Sequence, residues 1–175
     1  MNGKMAAIFG VLIIGLAVMA ASYAQWKETL TVSGGVATGE LDAGFSECSC
    51  SDSDGDSVYE GEGYVFCALI DNDNDGDNET AEITITNAYP CYTATCTLTI
   101  MNTGSIPLHV AGVNIVADPE LDVSIPEDQD PTCTILDVGE TVTFDVVAHV
   151  TENAAENGQY SFTVTVDIEQ FNYAP

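Results

Sequence analysis

The chain has 175 residues and carries 28 acidic residues against two basic ones, Lys4 and Lys27, which gives a formal net charge of −26. This charge argues against binding to nucleic acid or to anionic lipid head groups, because no cationic surface can meet their phosphates. It favours cations as partners, or high salt that screens the repulsion between carboxylates. A hydrophobic content of 46% indicates a packed core and argues against a disordered chain.

The first residues have the layout of a secretory signal peptide. A positive start at residues 1–4 precedes an apolar run at residues 5–21, and the small residues Ser22 and Ala24 then form a cleavage site. We therefore predict that residues 1–24 are removed and that the protein is secreted to the cell surface. The alternative is a retained hydrophobic helix, because an apolar run of about 17–20 residues lies at the lower limit for a bilayer span.

The segment after the leader, residues 25–35, predicts a β-strand that ends in a Gly34–Gly35 hinge. The unpaired edge of a sandwich recruits other strands. This segment can fold back onto its own sheet, or it can complete the sheet of a neighbouring copy as a donor strand. Trp26, Leu30 and Val32 are the predicted anchors on one face of the strand. For Trp26 the alternative is a membrane-interface residue of a retained leader.

Residues 36–175 predict one all-β domain, an antiparallel sandwich or jelly roll. Runs with period-two alternation or strand-length apolar character, separated by turn residues, carry this prediction. In chain order the runs are ETLTVSG (in the donor segment), GELDAGF, YVFCALI, AEITITN, TCTLTIM, LHVAGVNIV, LDVSI, ETVTFDVVAHV and YSFTVTVDIEQF. The one helical hint, ENAAENG, is predicted to be a short connector.

Six cysteines in an exported chain predict disulfides rather than free thiols. They are Cys48, Cys50, Cys67, Cys91, Cys96 and Cys133. The sequence leaves their pairing open, although Cys48 and Cys50 are too close to bond to each other without strain. Zinc is the competing interpretation, and the lack of Cys-x2-Cys pairs and of nearby histidines argues against it.

The segment DNDNDGDNETAE, residues 71–82, fits the calcium-loop pattern D-x-[DN]-x-[DN]-G-x5-E. Calcium prefers six to eight oxygen ligands, which closely spaced carboxylates supply. The candidate ligands are Asp71, Asp73, Asp75, Asp77, Glu79 and Glu82. Because neither flank has a helical pattern, we predict a static calcium brace between two strands rather than a helix-opening switch. The alternative is a solvated acidic turn.

Two weaker candidates lie in or near this loop. Asp52, Asp54 and Asp56 in SDSDGDS form a shorter echo of the calcium pattern, for which a polar loop is the favoured alternative. Asn78 begins the glycosylation sequon Asn-Glu-Thr inside the calcium loop. The sequence has no G-x-S-x-G, H-E-x-x-H or Walker motif, so we predict a protein that is not an enzyme.

Two groups of residues form short motifs that point to a known family. The first group is the T-G-x-L-D motif at Thr38, Gly39, Leu41 and Asp42, which follows a leader ending in ASYAQW and the strand TLTVSGG. The second group is Asn87, Tyr89, Pro90, Tyr92, Asn102, Thr103, Gly104 and Pro107. With these motifs the chain resembles the TasA/camelysin family of secreted fibre proteins, and among them the archaeal bundling-pilus subunits. The chain departs from the family at Cys91, where Gly is common, and in its acidic inserts around Asp52 and Asp71.

The resemblance implies a jelly-roll subunit of a surface or biofilm fibre that assembles by donor-strand complementation. We therefore expect a head-to-tail homopolymer, braced by Ca²⁺ and disulfides, whose filaments can contact neighbouring filaments. The alternative is a membrane-anchored calcium-binding surface domain that acts without polymerising, with residues 5–24 as its only membrane contact.

Overall fold

The structure is a computed structural model that describes residues 3–22, 32, 34–35, 38–52 and 63–172. The chain divides into two compact units, residues 1–37 and residues 38–175. Within the first unit, helix α1 (Gly3–Ser22) is rich in Ala, Ile and Leu and contains no proline. This helix confirms that the apolar leader is helical. No helix in the described ranges is both long and apolar enough to cross a membrane.

The predicted donor strand falls almost wholly outside the described residues. Trp26 and Leu30 lie in the range 23–31, of which the structure describes nothing. Val32 is described, and its side chain is 89% exposed. The donor strand therefore stays a prediction.

Nine strands form the described part of the second unit. They are β1 (Gly44–Asp52), β2 (Tyr64–Ile70), β3 (Thr80–Ala88), β4 (Thr93–Met101), β5 (Leu108–Ala117), β6 (Leu121–Ser124), β7 (Ile135–Leu136), β8 (Thr141–Val150) and β9 (Gly158–Gln170). One sheet has the order β1-β4-β8-β6, the other has the order β2-β3-β9-β5-β7, and all described pairings are antiparallel. The all-β, two-sheet prediction is confirmed, and the finer jelly-roll connectivity stays a prediction.

Both sheets contribute to one hydrophobic core. Leu98 and Phe144 come from the four-stranded sheet, and Ile83 and Phe162 come from the five-stranded sheet; all four side chains are buried. Alternation explains this arrangement, because every second side chain of a strand faces the same side of its sheet. In β4, for example, the alanine, cysteine, leucine and isoleucine face the core while the intervening threonines face outward.

Two details differ from the sequence prediction, and a third agrees with it. The first strand begins at Gly44 rather than Gly39 and continues through both neighbouring cysteines to Asp52. The two-residue strand β7 was missed, because Ile135 and Leu136 are too short a run to show alternation. The segment ENAAENG contains turns and no helix, as predicted for a connector.

Two disulfides join the strands. Cys48 bonds to Cys67 and so links β1 in one sheet to β2 in the other. Cys50 bonds to Cys96, which lies directly opposite on β4 with a Cα–Cα distance of 4.0 Å. These pairings are consistent with an oxidising environment.

The prediction that all six cysteines form disulfides is corrected within one chain. Cys91 and Cys133 carry exposed free thiols. The physical reason is their position, because Cys91 lies in the turn between β3 and β4 whereas Cys133 lies beside β5, toward the other end of the sheets.

Asn102 holds together the connections at one end of the sandwich. Its side chain is 1% exposed, and its Nδ2 donates hydrogen bonds to the carbonyls of Ile106 at 2.9 Å and Leu136 at 3.0 Å. Its Oδ1 accepts a hydrogen bond from the Gly104 N–H at 3.0 Å. One buried amide therefore links the ends of β4 and β7 and the start of β5.

We expect Asn102→Ala to lower the free energy of unfolding by about 2–3 kcal/mol, because it leaves buried carbonyls without donors. Urea unfolding of the oxidised protein measures the change. The matched control is Asn114→Ala, which removes an exposed asparagine whose Nδ2 donates to Asp167 at 2.8 Å. The control should shift stability by less than about 0.5 kcal/mol. Equal losses in the two variants would contradict the role assigned to Asn102.

Candidate metal centre

The acidic loop, defined as residues 71–79, connects two neighbouring antiparallel strands, β2 and β3. Strand β2 ends at Ile70 and strand β3 begins at Thr80. The prediction of an inter-strand loop without flanking helices is therefore confirmed. Because both flanking strands belong to one sheet, the ends of the loop are held at a fixed separation.

Backbone N–H groups of the loop donate hydrogen bonds to its own Asp carboxylates and so stabilise its turns. Asp71 accepts from the N–H of Asn74 at 2.6 Å and from that of Gly76 at 3.2 Å. Asp73 accepts from the N–H of Asp75 at 3.2 Å. Asn74 and Gly76 have φ angles of 66° and 108°, in the left-handed region that asparagine and glycine tolerate best. The loop therefore turns sharply enough to bring alternate carboxylates together.

Four loop carboxylates converge on a common point. One oxygen of each lies within 4.8 Å of one oxygen of each of the others; the four residues are Asp71, Asp73, Asp75 and Glu79. Opposite ligands of a calcium ion are about 5 Å apart, since each Ca–O distance is about 2.3–2.6 Å. The oxygens are therefore spaced as ligands around one calcium ion would be.

Glu82 does not belong to this group, which corrects its prediction as a twelfth-position ligand. Strand β3 has already begun at Thr80, and Glu82 pairs with Ala68 on one side and Thr163 on the other. It alternates with the buried Ala81 and Ile83, so its side chain faces away from the core on the outer face of the sheet. Glu79 takes its place in the cluster.

A second group joins the loop to the segment that enters the domain. Carboxylate oxygens of Asp42, Asp75 and Asp77 lie within 4.8 Å of one another. The hydroxyl of Thr103 donates to Asp77 Oδ2 at 2.6 Å, and the N–H of Gly104 donates to the Asp42 carbonyl at 3.2 Å. The metal prediction missed Asp42 and Thr103, although both belong to the short motifs that carry the family resemblance.

The end of the loop is hydrogen-bonded to the start of β1. The N–H of Phe45 donates to the Asn78 carbonyl at 2.6 Å, and Asn78 Nδ2 donates to the Phe45 carbonyl at 3.1 Å. A Cβ at Gly44 would lie 2.8 Å from the Cβ of Asp77, so only glycine permits this close approach. The Asn78 side chain is half-buried and donates this bond, and glycosylation at Asn78 stays a prediction.

Carboxylates in the loop shift one another's pKa values. For Asp75 the N–H of Asp77 lowers the pKa, but partial desolvation and the neighbouring carboxyls of Asp73 and Asp77 raise it to about 6. For Glu79 the Asn72 N–H lowers the pKa, and the Asp77 carboxyl and desolvation raise it above its usual value. Desolvation and the Asp77 carboxyl also raise the pKa of Asp42.

Asp77 keeps its charge more readily than its neighbours. Partial burial raises its pKa, but hydrogen bonds from Thr103 and from the protonated forms of the Glu79, Asp42 and Asp75 carboxyls outweigh it, and the pKa lies below its usual value. The site thus holds one firmly ionised carboxylate surrounded by carboxyls that resist ionisation, as expected where negative charges meet without a cation.

Two carboxylate oxygens have no donor. Asp77 Oδ1 and Glu79 Oε1 are buried and accept no hydrogen bond from an N–H or a hydroxyl within the described part of the chain. A buried carboxylate oxygen without a partner is costly, whereas an ion bound between such oxygens would satisfy them. No Lys or Arg occurs in residues 38–175 to play that role. The donor set therefore fits a hard divalent cation.

A cavity of about 180 Å³ opens beside the loop. Asp42 and Glu79 line one side of it, and Ile100, Val166 and Ile168 line another. Binding cavities for organic ligands usually measure roughly 300–1,000 Å³. The space beside the carboxylates therefore suits an ion with its water better than an organic ligand.

The shorter acidic echo lies elsewhere. Asp52 ends β1 opposite Ala94, eight residues along the strand from the loop-side Gly44, and its Oδ2 accepts from the Tyr92 hydroxyl at 2.9 Å. Asp54 and Asp56 lie in residues 53–62, outside the described part of the chain. Asp52 therefore does not contribute to the acidic loop.

Comparison of the chain with protein families, curated proteins and solved structures finds no match. The fold and the site define the class: a disulfide-bonded β-protein of two antiparallel sheets with a convergent carboxylate loop at one end.

The raised pKa values predict that the metal-free protein is most stable below neutral pH. Between about pH 4 and pH 6 the folded state binds more protons at Asp75 than the unfolded chain, whose Asp pKa is near 3.8, so stability is lost as pH rises through about 6. We expect the melting temperature of chelated, desalted protein to rise from pH 7 to pH 5.

Asp75→Asn provides the control for this pH effect, because it removes the titrating group and leaves the rest of the acidic surface unchanged. The increase on acidification should be smaller in this variant, and also in wild type saturated with calcium at each pH. A wild-type melting temperature that falls from pH 7 to pH 5 would contradict the assignment.

Proposed function

We propose that this protein is the structural subunit of an extracellular filament, a pilus or biofilm fibre. Each copy donates residues 25–33 to the next copy, and calcium in the acidic loop braces the subunit. The protein belongs, on this proposal, with the TasA/camelysin-like fibre proteins that its motifs resemble, and its role is assembly rather than catalysis.

The observation that carries the proposal is the open outer edge of β5. Strand β9 pairs along β5 on one side, but on the other side β7 pairs only with Leu108 and His109. Backbone hydrogen bonds with Cys133 and Thr134 extend this pairing to Val110. From Ala111 to Ala117, no described strand pairs with the outer edge. An edge of about seven residues matches the length of a donated strand.

The side chains along this edge are incompletely covered. Val113 and Ile115 pack against the core but remain only partly buried, and Val116 on the other face is 72% exposed. An added strand beside β5 would bury more of this apolar surface, and each Å² of it contributes about 25 cal/mol. The predicted anchors Trp26, Leu30 and Val32 provide apolar side chains for that purpose.

Charge also favours the donated segment over other acidic partners. Of the 28 acidic residues only Glu28 precedes residue 38, so 27 lie in residues 38–175, together with no Lys or Arg. Residues 25–33 carry one Lys and one Glu and are neutral. Such a segment can approach the acidic domain without adding to its self-repulsion.

Calcium would act where the donor segment enters the domain. Asp42 follows that segment, and its carboxylate lies within 4.8 Å of those of Asp75 and Asp77. The N–H of Ser105 donates to the Glu40 carbonyl at 2.9 Å, and the Glu40 N–H donates to Ser105 Oγ at 2.8 Å. An ion at this position would hold the loop and the entering chain together, and so fix the direction in which the donor strand departs.

Removal of residues 25–33 tests the assembly. We expect the shortened protein to remain folded and monomeric, whereas the intact protein forms filaments visible by negative-stain microscopy. A synthetic peptide of residues 25–35 should then bind the shortened protein one to one. Filaments formed without residues 25–33 would overturn the donor-strand proposal.

Two peptides of equal charge sharpen this experiment. One carries Leu30→Asp and Val32→Asp on the anchor face, and the other carries Thr29→Asp and Thr31→Asp on the opposite face. The first should bind at least about tenfold more weakly than the second, because a charge in an apolar groove is desolvated. Equal binding would contradict the assignment of the anchors.

Calcium binding is tested by thermal unfolding in the presence of a chelator and of 1 mM calcium. If 1 mM is about a hundredfold above the dissociation constant, the ion adds about 2.7 kcal/mol and raises the melting temperature by about 5–10 °C. Asp73→Asn should remove most of this increase. The control Asp128→Asn changes an exposed acid outside the loop and should preserve it. An unchanged wild-type transition would exclude the calcium brace.

A further inference from the structure

Two thiols remain outside the disulfide framework. Cys91 and Cys133 are exposed and unpaired, whereas the other four cysteines, also in the described residues, form disulfides. Exposed thiols in a chain whose other cysteines are oxidised are themselves candidates for oxidation.

The two thiols lie toward opposite ends of the sandwich. The Cys91 N–H donates to the Val150 carbonyl at 2.9 Å, in the turn that follows β3. The Cys133 N–H donates to the Val110 carbonyl at 2.9 Å, near the start of β5. Each cysteine is therefore held by the backbone of a strand, and neither is carried on a long free loop.

The distance between these two positions follows from the pairing of strand β9. It pairs Gly158 with Ala88, close to Cys91, and it pairs Ile168 with Val110, beside Cys133. The ten residues between them correspond to about 33 Å of extended strand. A disulfide requires Cα atoms within about 7 Å. The two thiols therefore cannot bond to each other within one folded copy.

Both cysteines occupy backbone conformations that cysteine does not favour. Their φ angles are 67° and 69°, in the left-handed region. Asparagine holds the other three described non-glycine positions with positive φ, at Asn74, Asn87 and Asn157. Asparagine and glycine are the ordinary residues there, because other side chains clash with the backbone. Backbone preference therefore gives no reason for a thiol at either turn.

We propose that Cys91 of one copy forms a disulfide with Cys133 of the next copy. Because the two cysteines lie toward opposite ends, two copies that meet end to end form one such bond and keep a free thiol at each outer end. Repetition of the bond then gives a covalent chain of subunits. The proposal does not rest on the donor strand or on calcium. It requires only that two copies meet end to end.

The chemistry is thiol–disulfide exchange with a disulfide-bearing oxidant, the reaction class that also forms the two intrachain bonds. The thiolate of one cysteine attacks a sulfur of the oxidant and expels the other sulfur as a thiolate. The second cysteine then attacks the mixed disulfide. One S–S bond forms between the copies, the two cysteines lose two protons and two electrons, and the oxidant is reduced to a dithiol.

Denaturing gels without reductant test the linkage. The intact protein, treated with an oxidised dithiol and then alkylated, should show a ladder of covalent oligomers that a reductant collapses to a monomer. Cys91→Asn and Cys133→Asn suit the left-handed backbone and should fold, as judged by intact Cys48–Cys67 and Cys50–Cys96 bonds. Each variant alone should lose the ladder, and an equimolar mixture of the two should give one dimer band.

Mass spectrometry of the linked peptides decides the outcome. A Cys91–Cys133 peptide from the mixed dimer supports the proposal. Symmetric Cys91–Cys91 or Cys133–Cys133 links, a bond within one copy, or two alkylated thiols after oxidation would overturn it. Microscopy of the same samples separates the two proposals. Filaments without a covalent ladder would overturn the intermolecular disulfide but not strand donation. A ladder that persists after deletion of residues 25–33 would show that the disulfide forms without strand donation.

Discussion

The second unit must fold with 27 carboxylates and without a single Lys or Arg in residues 38–175. No Lys or Arg within this unit can pair with a carboxylate, so the carboxylates depend on N–H groups, hydroxyls, water or free cations. Some find a donor on a neighbouring strand. Thr97 donates to Asp145 at 2.7 Å, and the Ser161 N–H donates to Asp118 at 2.7 Å. In the acidic loop, the buried oxygens Asp77 Oδ1 and Glu79 Oε1 accept no hydrogen bond from a described N–H or hydroxyl.

The same constraint gives the disulfides their role. Repulsion between carboxylates favours expanded chains, so an acidic domain gains from bonds that limit expansion. Cys48–Cys67 closes a separation of 19 residues between the sheets, and Cys50–Cys96 closes one of 46 residues along neighbouring strands. Each such bond stabilises by about 3–4 kcal/mol on the chain-entropy account. Both bonds fasten β1, an edge strand whose start is also clipped to the acidic loop.

Local patterns in the sequence predict local features of this fold, and long-range contacts decide the rest. Alternation in AEITIT and TCTLTIM predicts β3 and β4 because period-two burial is a property of neighbouring residues. The template for Glu82 failed because it assumes a helix after the loop, whereas a strand turns that side chain outward. Asp42 joins Asp77 across 35 positions of sequence, and no spacing rule indicates such a contact.

The two proposed contacts between copies require the same polarity. The entering segment, residues 38–43, lies at the acidic-loop end, where Glu40 bonds to Ser105, so a donated strand would leave from that end. The open edge of β5 extends from Ala111 to Ala117, toward the opposite end, because Ala117 pairs with Phe162 near the start of β9. Cys133 lies near the first end and Cys91 at the second. A copy that donates its strand from the acidic-loop end to the open β5 edge of a neighbour would therefore place its own Cys133 near the neighbour's Cys91. Non-covalent and covalent assembly would therefore reinforce each other in a head-to-tail filament.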